Sequence, residues 1–249
     1  MIYFIGAGPG AEDLITVRGQ ELLRRADMVI YAGSLVNPAL LKVCRADCEI
    51  LDSAHMTLEQ VLEAFERGDG PDRVVVRLHT GDPSIYGAIR EQMDALDARG
   101  REYRVVPGVS SLNAAAAALR AEYTLPGVSQ TVIISRMAGR TPVPEAESVR
   151  SLAAHGATMA LFLSAGMLDE LCAELIAGGY APETPAALVY KASWPDEAVV
   201  RGTLSTLPEL ARGYGRTALV LVGGFLGDEY ERSKLYDPTF AHGYREASK

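Results

Sequence analysis

Three short runs carry residue types able to close around a small ligand: Gly6-Ala7-Gly8-Pro9-Gly10, Thr80-Gly81-Asp82-Pro83 and Pro107-Gly108-Val109-Ser110-Ser111. Glycine at alternate positions permits φ > 0 and lets backbone approach a bound molecule where a side chain would stand in the way. Pro9 removes an N–H, so the first run suits van der Waals closeness more than phosphate cradling, which depends on those donors. Asp82 adds a carboxylate that can pair with an ammonium or accept from hydroxyls, and Ser110 and Ser111 add neutral donors and acceptors. Taken alone, Gly-Asp-Pro is also the sequence of a turn or a helix N-cap.

A dinucleotide cofactor is the obvious competitor, because Gly6, Gly8 and Ala11 satisfy G-x-G-x-x-G/A directly after an apolar strand. That fold wants a carboxylate at the end of the second strand, about 20 residues on, to hold a ribose hydroxyl. Here the second strand, residues 28–31, runs into Ala32-Gly33, and Asp27 lies at its start. The sequence therefore points away from NAD.

The elements that position these runs read as an α/β chain. Residues 2–5 form an opening strand, 14–25 a helix, 28–31 and 49–51 strands, and Thr57-x-x-Gln60 a capping box opening a helix that ends near Gly68. Residues 73–78, with Val74-Val75-Val76, read as a buried parallel strand, followed by a helix over 84–96 and a strand over 103–106. Three strands thus end in glycine-containing loops, and open α/β sheets bind ligands at the carboxyl ends of their strands. After an alanine-rich helix the pattern changes. Strands are expected at 131–135, 159–163, 186–190, 198–204 and 218–222, with a helix at 167–177. The pair 186–190 and 198–204 leaves no room for a crossover helix, so it should be antiparallel. The fold class expected is α/β in two domains, 1–112 with a mostly parallel sheet and 113–249 with a mixed sheet and a polar, partly ordered tail after Gly227.

Bulk properties narrow the function. The chain has 249 residues, 48% hydrophobic and 22% charged, with no run of the ~18 apolar residues a membrane span needs. No secretory signal is visible at the start, which makes the cytoplasm the expected compartment. Three cysteines, Cys44, Cys48 and Cys172, form no paired framework, and four scattered histidines lack metal-ligand spacing, so no metal site is expected. A net charge of −8 argues against a nucleic-acid partner.

Together, the three loop runs resemble those of the tetrapyrrole methylases, the class III S-adenosylmethionine-dependent methyltransferases, nearly end to end from Met1 to about Gly227. Four further segments, residues 31–36, 77–82, 135–142 and 190–197, resemble the branch of that family that serves cobalamin biosynthesis. The sister uroporphyrinogen III branch carries an aspartate and a lysine where this sequence has Ala32 and Ser53. The resemblance implies a homodimer with S-adenosylmethionine bound in a cleft between the domains and S-adenosylhomocysteine released. Its cofactor contacts would be Pro9, Thr80, Gly81, Asp82, Ile85, Ser110 and Ser111, joined by Leu163 and Ala192 from the second domain. A tetrapyrrole is rich in carboxylates, so Arg136, Arg140 and Lys191 are expected to touch substrate, with Gly8 clearing its approach to the methyl group. Trp194 and Met137 would pack on the macrocycle or else in the core. Asp52, Ser53 and His55 are the candidate catalytic floor for moving a proton, with His79 second; Asp52 and Ser53 would otherwise simply lead into the helix capped at Thr57. Other branches of the family methylate ribosomal RNA or a diphthine precursor. The acidic charge weighs against the first, and segment 136–142 would have no purpose in the second.

Overall fold

The computed structural model describes residues 1–33 and 35–248; Ser34, within the motif at 31–36, and Lys249 lie outside them. The chain divides into two compact units, Met1–Ala114 with Lys191–Asp196, and Ala115–Tyr190 with Glu197–Lys249.

In the first unit β1 (Ile2–Gly6) leads to α1 (Val17–Arg25), β2 (Met28–Tyr31), β3 (Glu49–Asp52), α2 (Leu58–Gly68), β4 (Val75–His79), α3 (Arg90–Ala98), β5 (Tyr103–Val106) and the start of α4 (Ser111–Leu119), whose residues from Ala115 on belong to the second unit. Among the described residues these strands form an all-parallel sheet in the order β3-β2-β4-β1-β5. Both faces of the central strands are covered, which is why β1, β2 and β4 read as nearly unbroken apolar runs. One face packs Ile5, Leu23, Val29, Val76 and Leu78. The other packs Ile2, Phe4, Met28, Ile30, Phe65 and Val75. Phe4 meets Phe65 and Tyr103 edge-on, with ring centroids 5.9 and 5.8 Å apart, and stacks on His79 at 6.1 Å. Burying each such side chain stabilises by roughly 1.5–3 kcal/mol.

Local signals set most boundaries. The capping box forms as expected: Thr57 Oγ1 accepts from Gln60 N at 3.4 Å and Gln60 Oε1 accepts from Thr57 N at 2.8 Å. The helix expected at 14–25 starts later, at Val17, because the Thr16 hydroxyl caps Gly19 N and Glu12–Leu14 is a separate 3-10 turn. The helix expected at 84–96 is corrected to Arg90–Ala98. Asp82 Oδ1 accepts from Ser84 N, and Tyr86 and Ala88 take left-handed backbone, so residues 83–86 make a turn instead.

The second unit contains β6 (Val132–Arg136), α5 (Val149–Ala153), β7 (Thr158–Phe162), α6 (Leu168–Ala177), β8 (Pro185–Tyr190), β9 (Ala198–Thr203), α7 (Leu207–Leu210) and β10 (Ala218–Val222). Its sheet runs β6-β7-β10-β8-β9. Only β6 and β7 are parallel, and β8 and β9 are antiparallel as the short connection requires. The tail folds back on itself: Arg245 Nη2 donates to the carbonyls of Asp237 at 2.6 Å and Leu235 at 3.1 Å, and Glu231 N donates to Pro126 O at 2.9 Å.

Candidate functional site

In the first unit the order β4-β1-β5 brings three glycine-bearing strand ends side by side. Ala7 N donates to His79 O at 2.7 Å, Gly8 N to Gly81 O at 3.3 Å, and Gly81 N back to Gly8 O at 2.8 Å. Gly8 (φ 81°) and Gly81 (φ 62°) both hold left-handed backbone to do this. Gly6 and Gly108 are glycine for a different reason. A Cβ on Gly6 would stand 2.5 Å from both Gly108 Cα and Gly81 O, and one on Gly108 only 2.1 Å from Gly81 O. The loops after β1, β4 and β5 are therefore packed backbone against backbone.

Asp82 sutures two of them. Its Oδ2 accepts from Gly108 N at 2.8 Å, while its Oδ1 accepts from Ser84 N at 2.9 Å and from the Ser84 hydroxyl. Burial works against this carboxylate, but those hydrogen bonds from Ser84 and Gly108 outweigh it and hold it below its usual range. The turn-forming role open to a Gly-Asp-Pro run is thus in operation. Ser110 Oγ accepts from Leu112 N at 3.2 Å in the manner of an N-cap, with Ser111 opening α4. Ile85 is half-buried in the turn that Asp82 starts, its N–H donating to Asp82 O at 3.3 Å. Thr80 Oγ1 is buried with no partner among the described residues. A buried polar atom left so is costly unless something meets it, and this one lies between the end of β4 and Gly81.

His79, at the end of β4, is 5% exposed and its Nε2 is also unpartnered. Burial, helped by the neighbouring Arg77 charge, pushes its pKa from 6.5 down to about 3. The folded imidazole stays neutral while the unfolded one takes a proton, so its stability contribution is complete above pH 6.5 and is lost towards pH 3. Relative to wild type, His79→Gln should flatten the fall in melting temperature across that window; parallel profiles would show that His79 is not the buried neutral group.

Lys191–Asp196, which falls in the first unit, lies across the glycine loop. Trp194 Nε1 donates to Pro9 O at 2.9 Å and Ser193 Oγ accepts from Ala11 N at 3.0 Å. A Cβ on Gly10 would stand 2.1 Å from the indole ring. From the other side Asn37 Nδ2 donates to Gly10 O at 2.8 Å, and Asn37 Oδ1 accepts from Ala39 N at 3.0 Å. Lys191 pairs with Asp196 at 2.6 Å and sits 5.6 Å above the Trp194 ring, which ties the ammonium into the strap itself. Ala192 is buried here, in the first unit and not the second as expected. Trp194 likewise packs on Gly10. The roles of Trp194, Ser193 and Asn37 escaped sequence reading; only the Asn37-Pro38 pair, a helix-start signature, marked the last of them.

Asp52, Ser53 and His55 gather at the carboxyl end of β3, an edge strand separated from β4 by β2. Asp52 Oδ1 accepts from Gly33 N at 3.0 Å and Ala54 N at 2.8 Å, and the Ser53 hydroxyl donates to Tyr31 O at 3.0 Å. These two side chains join the ends of β2 and β3. His55 is exposed in the short 3-10 turn that follows.

In the second unit, Arg136 and Leu163 stand at the carboxyl ends of the parallel pair β6 and β7. Arg136 Nη1 donates to the carbonyls of Met137 at 3.2 Å and Thr141 at 3.1 Å, and Nη2 to that of Pro142 at 3.0 Å, so it staples the loop that carries the exposed Arg140. Leu163 is 68% exposed on left-handed backbone, φ 55°. Ser164 Oγ accepts from Met137 N at 2.8 Å and donates to Phe162 O at 2.7 Å, joining the two strand ends. Met137 itself is buried in this unit's core.

The family model described as Tetrapyrrole (Corrin/Porphyrin) Methylases matches residues 1–208. The chain belongs to this family. It is 51% identical over 251 residues to the cobalt-precorrin-4 C(11)-methyltransferase of Methanocaldococcus jannaschii, across the whole chain and 97% of that relative. Among solved structures it resembles the X-ray structure of a cobalamin biosynthetic enzyme, cobalt precorrin-4 methyltransferase, with a TM-score of 0.88 and 46% identity over 91% of this chain and 96% of that one. It also resembles the uroporphyrin-III C-methyl transferase of Thermus thermophilus complexed with S-adenyl homocysteine, with a TM-score of 0.76 and 26% identity over 90% and 92% of the two chains. The tetrapyrrole methylase fold is thus the all-parallel sheet and mixed sheet described above. Among the described residues no His, Cys, Asp and Glu group is placed to hold a metal, and no helix is long and apolar enough to cross a membrane.

Proposed function

We propose that this tetrapyrrole methylase is an S-adenosylmethionine-dependent C-methyltransferase that methylates C11 of precorrin-4, giving precorrin-5 and S-adenosylhomocysteine in cobalamin biosynthesis. The observation that carries the reading is full-length similarity to an enzyme named for that position. Because that relative is named for cobalt-precorrin-4, the cobalt-bearing substrate is the second reading. The proposal extends to a homodimeric, cytoplasmic enzyme, as the family resemblance implies.

The residues fit the cofactor. Thr80 Oγ1 offers a buried, unmet hydrogen-bonding group, and Gly6 and Gly108 carry no Cβ where the loop backbones pack on one another. Pro9, Thr80, Gly81, Asp82, Ile85, Ser110, Ser111 and Ala192 would hold it, with Leu163 added as the family resemblance implies. When bound, S-adenosylmethionine supplies a methyl group on a sulfonium. The chain's work is to orient the attacking carbon in line with it, a positioning effect that calls for little acid–base machinery. Gly8 would border the substrate with its backbone and not by leaving a side chain out of the approach, since a Cβ there would turn into Leu14 O at 2.7 Å, while Arg136, Arg140 and Lys191 would meet substrate carboxylates. Arg136 and Lys191 would do so with guanidinium and ammonium groups already fixed by their own loops. Asp52, Ser53 and His55 are the proposed floor for any proton that must move.

Calorimetry with S-adenosylhomocysteine and with NAD tests the cofactor half: the first should bind and the second should not, and the reverse result sinks the reading. Incubation with metal-free and cobalt-containing precorrin-4, followed by mass spectrometry, should show a single added methyl on one of them.

A further inference from the structure

The segment between Gly81 and α3 is held in an unfavourable shape. Tyr86 (φ 55°) and Ala88 (φ 49°) both take left-handed backbone although each carries a Cβ. Gly87 between them lies so close to Pro83 that a Cβ there would stand 2.1 Å from the Pro83 carbonyl oxygen. Conformations of this kind persist only where the surroundings over-determine them.

The constraint comes from beneath. Gln92 Nε2 donates to Ala88 O at 2.9 Å, and Gln92 Oε1 accepts from Arg77 Nε at 3.2 Å. Arg77 Nη1 donates in turn to Ile30 O at 3.2 Å. Arg77 is 7% exposed and Gln92 5%, and among the described residues no carboxylate pairs with Arg77. A buried guanidinium held only by neutral acceptors is a poor way to stabilise a fold, since apolar side chains of similar volume do as well or better. Its geometric effect is more specific. It runs from β2, through β4, to the first turn of α3, and ends on the carbonyl of Ala88, one of the two left-handed residues.

We infer that Arg77 and Gln92 are positioning residues for the methyl transfer, a buried brace that sets residues 82–89 in the shape that completes the cofactor site. The inference rests on the S-adenosylmethionine reading, because Asp82 and Ile85 belong to the braced segment.

Gln92→Glu separates the brace from the fold. The new carboxylate keeps an acceptor for Arg77 and supplies its missing counter-charge, but it has no N–H to give Ala88 O. The melting temperature should stay at or above that of wild type while the Kd for S-adenosylhomocysteine, by calorimetry, rises about tenfold, or ~1.4 kcal/mol. The double variant Arg77→Met with Gln92→Leu, which removes the buried polar groups altogether, should show the same split. A Kd within twofold of wild type in either folded variant overturns the inference, and so does loss of the fold in both, which would make the pair structural. If wild type itself binds no S-adenosylhomocysteine, the cofactor reading fails instead. The brace is then read from protease cleavage within residues 82–89, which Gln92→Glu should accelerate and which an unchanged cleavage rate would refute.

Discussion

A Gly108→Ala chain should melt far below wild type and lose S-adenosylhomocysteine binding, with a cost of about 4 kcal/mol or more, at the extreme end of single substitutions. The new methyl would stand 2.1 Å from Gly81 O and 2.7 Å from Gly6 Cα. Neither neighbour is the free end of a side chain. Gly6 ends β1 and Gly81 lies two residues past the end of β4, both inner strands of a parallel sheet, so relief requires parting the loops that follow β1, β4 and β5. That would also stretch the 2.8 Å bond between Gly108 N and Asp82 Oδ2, so stability and binding should fall together. Thermal melts and calorimetry on one preparation check this; a variant that binds normally would show that the backbone packing at 108 is not needed for the site.

The second large effect is conditional. Gly10→Ala should weaken cofactor binding strongly in the wild-type background and scarcely at all when Trp194 is already alanine. The methyl meets the indole at 2.1 Å, and an indole pushed aside gives up its bond to Pro9 O. Trp194→Ala alone should cost about 2 kcal/mol of stability through lost packing and that hydrogen bond. The two residues share one contact, so the double-mutant cycle should show coupling of about 1–3 kcal/mol. Additive losses would mean that the strap does not bear on Gly10.

The contrast between these two sites shows what a sequence reader can and cannot see. The strands of the first unit were legible because a sheet covered on both faces demands unbroken apolar runs, and the loops after them because glycine and proline interrupt those runs at their carboxyl ends. The start of α3 was not. The run 84–96, closed by Gly100, reads as one helix, and the carboxylate of Asp82 with the crowding of Gly87 on Pro83 decides against its first part in three dimensions. Residue type did not reveal at Arg136 that a guanidinium suited to carboxylates is also engaged by three loop carbonyls of its own chain. Trp194 illustrates the remaining gap: an aromatic side chain in a loop carries no periodic signal for a partner far upstream, at Pro9 and Gly10.

That separation has a consequence for biogenesis. The bond from Trp194 Nε1 to Pro9 O spans 185 positions of sequence, and Ser193 to Ala11 spans 182. Contacts of such high order close late and slow the search for the native state. During synthesis, which proceeds at roughly 5–20 residues per second, the parallel sheet can assemble as soon as residues 1–106 emerge from the ribosome. The glycine loop must then wait until most of the second unit has been translated before its strap arrives. A nascent chain halted after α4 would hold all five strands of the first sheet and still lack the strap over its glycine loop.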